Sequence, residues 1–72
     1  MQAMETVDSS SIREVGYVSS RRLLLVTFAE SGKLYAYEGV EPEVYEAFME
    51  APSKGEFLNT QIKPFYDCRA LT

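Results

Sequence analysis

The stretch LLLVTFAESGKLYAYEGV, Leu23 to Val40, decides how this chain folds. Its opening, LLLVTF, is nearly all apolar, as in a central strand of a covered sheet. Ser31-Gly32 follows as a turn signal. KLYAYE then reads as a second strand, in which Tyr35 and Tyr37 share one face. The short connection makes the two strands antiparallel neighbours. With Ser31-Gly32 as a two-residue hairpin loop, Phe28 is expected opposite Tyr35 and Val26 opposite Tyr37. Glu30 then faces Lys33, and their opposite charges favour that register.

Upstream, IREVGYV (Ile12–Val18) is enriched in β-branched and aromatic residues and reads as another strand. SSRR (Ser19–Arg22) is its turn into Leu23. Placing Val18 opposite Leu23 sets Tyr17 against Leu24 and Val15 against Val26. One sheet face then collects Val15, Tyr17, Leu24, Val26, Phe28, Tyr35 and Tyr37. The other collects Glu14, Gly16, Val18, Leu23, Leu25, Thr27, Leu34, Ala36 and Glu38. The first face is bulkier and more apolar, so it is the one expected under cover.

Downstream, the apolar period changes. In VEPEVYEAFMEA, Pro42 suits the first helical position. Glu41, Glu43 and Glu46 favour the positive end of the helix. Val44, Tyr45 and Phe48 fall on one side. Ala51-Pro52 ends that helix. Ser53 to Glu56 is a capping box opening a second helix, with Phe57, Leu58 and Ile62 as its apolar side and Pro64 as its stop. FYDC is expected to lie back on the fold as a tail or short strand. The expected fold is α+β: a three-stranded antiparallel β-meander followed by two short α-helices packed on one face. Residues 1–8 are expected to fray, and 9–72 to form a single domain.

Composition narrows the function. Seventy-two residues allow one small core. The single cysteine, Cys68, excludes an internal disulfide, and the lack of histidine excludes Ser-His and Cys-His dyads. Cys68 with carboxylates is a poor zinc set, so no metal or other cofactor is expected. No apolar run approaches the roughly 20 residues of a membrane span, and MQAMETVDSS does not read as a signal peptide. A reducing, cytoplasmic location is expected. Net charge is −4 and the isoelectric point about 4.6, whereas strong nucleic-acid binders are usually basic. The acidity is local: Glu38, Glu41, Glu43, Glu46 and Glu50 fall in a stretch with no basic residue. Their spacing is that of a solvated helix face, and Cys68 reads as a small packing residue.

SKGEFLN is the more specific segment. A helix start offers free N–H groups and a positive partial charge. Lys54 adds a full charge, Gly55 clears space at the backbone, and Asn59 and Lys63 follow at steps of four. One reading is a phosphate-contacting edge. The other is a capped helix whose glycine permits close packing on the sheet. The tyrosines likewise have two readings. Tyr35 and Tyr37 are core residues packed against Phe48, Phe57 and Ile62, with hydroxyls reaching polar partners or the rim, or they are an exposed stacking platform.

A strand bearing Gly16-Tyr17, then LLLVTF, SG, YAY, GV, VYEAF, SKGEFLN and IK, in this order, resembles the KTSC domain over about residues 9 to 66. The domain is named for its place at the C-terminus of some lysyl-tRNA synthetases, and it also occurs alone as a small bacterial protein. Its hallmark is Tyr35-Ala36-Tyr37 followed by Ser53, Lys54 and Gly55. Tyr35, Tyr37 and Phe57 carry this signature, here as core residues. The synthetase association implies RNA as a partner. A non-enzymatic binding module is therefore expected. Its contacts would be Ser53, Lys54, Gly55, Asn59 and Lys63, with a basic edge of Arg21, Arg22 and Lys33. The alternative is a protein-interaction module, homodimeric through Leu23, Leu25 and Leu34.

Overall fold

A computed structural model of the protein describes residues 4–7 and 9–71. The strands are β1 (Glu5–Thr6), β2 (Ile12–Val18), β3 (Leu23–Phe28), β4 (Leu34–Glu38) and β5 (Cys68–Ala70). They form one antiparallel sheet in the order β1-β2-β3-β4-β5. Helices α1 (Pro42–Glu50) and α2 (Lys54–Phe57) follow β4, and α2 runs on into a π-helical turn, Leu58–Ile62. The fold is the expected α+β arrangement, with a short strand added at each edge of the three-stranded meander. Glu5 and Thr6, within the stretch expected to fray, pair with Val15 and Glu14. Residues 1–3 and 8 of that stretch lie outside the described residues.

The β2–β3 register is the expected one, with Val15 opposite Val26, Tyr17 opposite Leu24 and Val18 opposite Leu23. Between Ile12 and Glu14 it shifts at a bulge. Strict alternation would put Ile12 on the face of Glu14. The bulge re-aims it, and Ile12 is fully buried while Arg13 is exposed. Before the strand, the Ser9 hydroxyl accepts from the N–H groups of Ser11 and Ile12.

The β3–β4 hairpin departs from the expected two-residue loop. Val26 faces Tyr35, Leu24 faces Tyr37, and Thr27–Leu34 is the last pair. A primed two-residue turn would need positive φ at Ser31, the first central position. Among the described non-glycine residues only Arg22 has positive φ. Gly32, at φ 72°, takes the left-handed position instead, and the loop widens. Gly32 N–H donates to the Phe28 carbonyl at 2.8 Å, and Phe28 N–H to the Lys33 carbonyl at 3.0 Å. The slip is two residues. Because side chains alternate with period two, every residue keeps its face while its partner changes.

The covered face holds the core: Ile12, Val15, Tyr17, Leu24, Val26 and Tyr37 from the sheet, with Val40, Phe48, Leu58 and Ile62 from the segments above it. Gly39, at φ 80°, turns the chain off β4 so that Val40 enters the core. Pro42 stands at the start of α1 as expected, and Ala51, with extended backbone, ends it. The Ser53 hydroxyl accepts from Glu56 N–H at 3.3 Å, the capping bond the sequence predicts. One turn later the Thr60 hydroxyl occupies the Glu56 carbonyl at 2.9 Å. There the ladder widens, and Lys63 N–H reaches back to the Leu58 carbonyl. Leu58 and Ile62 are both buried.

Candidate functional site: an aromatic groove at the loop end of the sheet

Lys63 leaves the π-helical turn above the end of β3. Its Nζ stands 5.3 Å from the centre of the Phe28 ring, within reach of the ring's negative face. Phe28 in turn meets Tyr35 edge to face, with ring centres 5.5 Å apart and planes at 80°. These side chains, with Ser31, Tyr37 and Cys68, line a groove of about 450 Å³. Tyr35 and Tyr37 come from β4, and Cys68 faces Tyr37 across the β4–β5 pairing, so its side chain shares that face.

The two tyrosines divide between the two readings. Tyr37 is core, 2 % exposed, whereas Tyr35 is only half-buried and forms a wall of the groove. Burial pushes the Tyr37 hydroxyl up to about 12, with Cys68 and Tyr35 adding to the rise. Cys68 is a free, exposed thiol on the groove and not the packing residue its sequence suggests. Phe57 is half-buried, its ring 5.8 Å from that of Phe48.

The helix start forms a separate, smaller cleft of about 200 Å³, lined by Ser9, Ser10, Ser11, Pro52, Ser53, Lys54 and Gly55. A methyl group at Gly55 would run into the Ser11 hydroxyl. This supports the close-packing reading of the glycine, directed at the segment before β2. Asn59 is exposed and belongs to neither set of lining residues.

The expected basic edge is split. Lys33, Lys54 and Lys63 belong to the end of the sheet where β2 begins and β3 stops. Ala29 N–H donates to the Ser11 carbonyl there, and Arg13 Nη2 donates to the Ala29 carbonyl. Arg21 and Arg22 lie in the β2–β3 turn at the opposite end, where Val40 N–H donates to the Arg22 carbonyl. Arg22 sits there among the acidic residues that open α1. The Tyr66 hydroxyl, 2.9 Å from Glu41 Oε1, lowers the Glu41 carboxyl, and the Arg22 charge adds a smaller push in the same direction. Phe28, Ser31 and Cys68 were not legible as site residues. Phe28 reads as one more core residue, and the expectation that FYDC lies back as a tail or short strand did not say that β5 pairs with β4 and brings Cys68 beside Tyr37.

Among the described residues no cluster of His, Cys, Asp or Glu could hold a metal ion. None of the described helices is long and apolar enough to cross a membrane.

A short antiparallel meander, covered on one face by two helices and left with an aromatic groove at one end, defines a class of small α+β module. The sequence pattern of the KTSC domain matches residues 8–66, and this chain belongs to that family. It is 47% identical over 58 residues to a protein of Stutzerimonas stutzeri, covering 81% of this chain and 80% of that one. It is 37% identical over 68 residues to a protein of Tsukamurella paurometabola, covering 94% of this chain and all of the other. The crystal structure of a KTSC domain protein from Yersinia pestis superimposes with a TM-score of 0.94 at 36% identity, covering 100% of both chains.

Proposed function

We propose that this KTSC domain is a non-enzymatic binding module for single-stranded RNA, working in the cytoplasm. The observation that carries the reading is a lysine held against an aromatic face beside a half-exposed tyrosine, Lys63 over Phe28 next to Tyr35. Unpaired bases gain about 1–3 kcal/mol each by stacking on aromatic side chains, and lysines hold the phosphates between them. Arg13, Lys33 and Lys54 come from the same end of the sheet. The acidic start of α1, Glu41 and Glu43, lies near Arg22 at the other end, so the net charge of −4 is not spread evenly over the surface.

The test is titration of labelled single-stranded RNA at two salt concentrations. Affinity is expected to fall as salt rises, with a log–log slope of about −2 for three neutralised phosphates. Lys54→Glu is expected to weaken binding severalfold. No binding at low salt with tens of micromolar protein sinks the reading.

A second reading rests on the outer sheet face. Leu23, Leu25 and Leu34 are half-buried there and take no part in the helix-covered core. They suit a protein contact, including one with a second copy of the chain. Sedimentation at high protein concentration tests the homodimer, and a strict monomer argues against it.

A further inference from the structure

The aromatic groove has a polar atom with no hydrogen-bond partner among the described residues. Tyr37 is 2 % exposed, and every fully occluded side-chain polar atom among the described residues has a hydrogen-bond partner. The Tyr37 hydroxyl makes no hydrogen bond to the described residues, so its oxygen must be the small part of the residue that reaches the groove. The neighbouring buried tyrosine behaves differently: the Tyr17 hydroxyl donates to the Val40 carbonyl at 2.6 Å. Because that oxygen is open to the groove, a polar group entering there can hydrogen-bond it.

The other lining groups limit what that something is. Phe28 and Tyr35 offer ring surfaces, Lys63 offers a cation near the Phe28 face, and Ser31 and Cys68 add small polar groups. About 450 Å³ lies within the range of small-molecule sites. We propose that the groove is a site for one nucleobase carrying a phosphate. The ring lies against Tyr35 and Phe28, the Tyr37 hydroxyl bonds the polar edge of the base, and Lys63 holds the phosphate. The proposal rests on the RNA reading for the source of the base, either a strand or a free nucleotide. The groove chemistry is the same for both.

The test is a titration of the whole protein, followed by amide and tyrosine ring resonances. The probes are nucleoside monophosphates, the matching nucleosides, inorganic phosphate, and a short single strand. Monophosphates are expected to move the resonances of Phe28, Tyr35, Tyr37 and Lys63, with nucleosides and phosphate each binding more weakly. Tyr37→Phe, which removes only the hydroxyl, is expected to lower monophosphate affinity roughly three- to tenfold, the weight of one hydrogen bond. Lys63→Gln is expected to erase the advantage of monophosphate over nucleoside. Arg69→Gln, a cation lost from the outer face, leaves affinity unchanged. If the strand binds while monophosphates leave the groove resonances still and Tyr37→Phe has no effect, the groove proposal is wrong and the RNA reading stands. If monophosphates bind through the groove but the strand binds no more tightly, the groove proposal holds and the RNA reading falls.

Discussion

Two tyrosines in one cross-strand row, Tyr17 and Tyr37 on either side of Leu24, show how the same residue can close a core or open it. Tyr17 is stacked on Tyr45, ring centres 4.5 Å apart and planes at 7°, and its hydroxyl is satisfied by the Val40 carbonyl. Near it, Tyr66 bridges to Glu41. That side is sealed by the chain itself. Tyr37 is as deeply buried, yet its hydroxyl has no hydrogen-bond partner among the described residues, and its neighbour Tyr35 is half-buried. The difference lies in what covers the two sides. The Val40 carbonyl meets the Tyr17 hydroxyl. On the other side Lys63 stands over Phe28, and both line the groove with Tyr35 and Tyr37.

The largest expected effect is at the cover shared by both sides. Phe48 is fully buried, and Phe48→Ala should cost about 3–5 kcal/mol, most of the stability of a domain this small. Denaturant melts would show a collapsed midpoint. Tyr35→Ala on the open side should cost far less, and an equal loss would mean that the groove wall is structural.

The hydroxyls give the sharper contrast. Tyr17→Phe leaves the Val40 carbonyl without its donor and should cost about 1–2 kcal/mol. Tyr37→Phe removes a hydroxyl with no partner among the described residues and should change stability by less than about 0.5 kcal/mol or raise it. Equal losses in the two variants would break the comparison.

Alkaline titration reads the same contrast without mutation. Tyr37, with its hydroxyl at about 12 against an ordinary 10.0, should release its proton late, seen as a delayed step in phenolate absorbance. Because burial disfavours the phenolate, stability is unaffected by this group below pH 10 and falls as pH rises from 10 through about 12. Tyr37→Phe should remove that step. The smallest effect belongs to Glu41, whose carboxyl is lowered by the Tyr66 hydroxyl and then by its own backbone N–H. Its contribution is present above pH 4.5 and is lost as pH falls through the lowered folded value. The pair is exposed, so Tyr66→Phe should shift the acid midpoint only slightly.

Most of the fold was legible because its signals are local. β-Branched and aromatic enrichment placed β2, a nearly continuous apolar run placed β3, the Ser31-Gly32 turn placed β4 after it, Pro42 and Pro52 bounded α1, and Ser53 announced its own cap. The β3–β4 register was misplaced by two residues, since Glu30 and Lys33 looked like a pair and the φ of Ser31 was not visible. The faces survived that error. The site was less legible. Lys63, Tyr35 and Tyr37 stood out, but Arg21 and Arg22 were grouped with lysines from the other end of the sheet, and Phe28 and Cys68 were missed as lining residues.

The sequence by itself determined which residues face inward, because a side-chain period of two or 3.6 is a property of the local backbone. It also determined where the helices start and stop, through proline and serine chemistry within a few residues. Only the tertiary structure decided which inward-facing hydroxyl is satisfied, which basic residues become neighbours, and that β5 returns to β4 with Cys68 beside Tyr37. Those outcomes join residues far apart in the chain, as Tyr17 and Val40 are at a separation of 23 positions. Their meeting is set by the packing of whole elements, which no local pattern encodes.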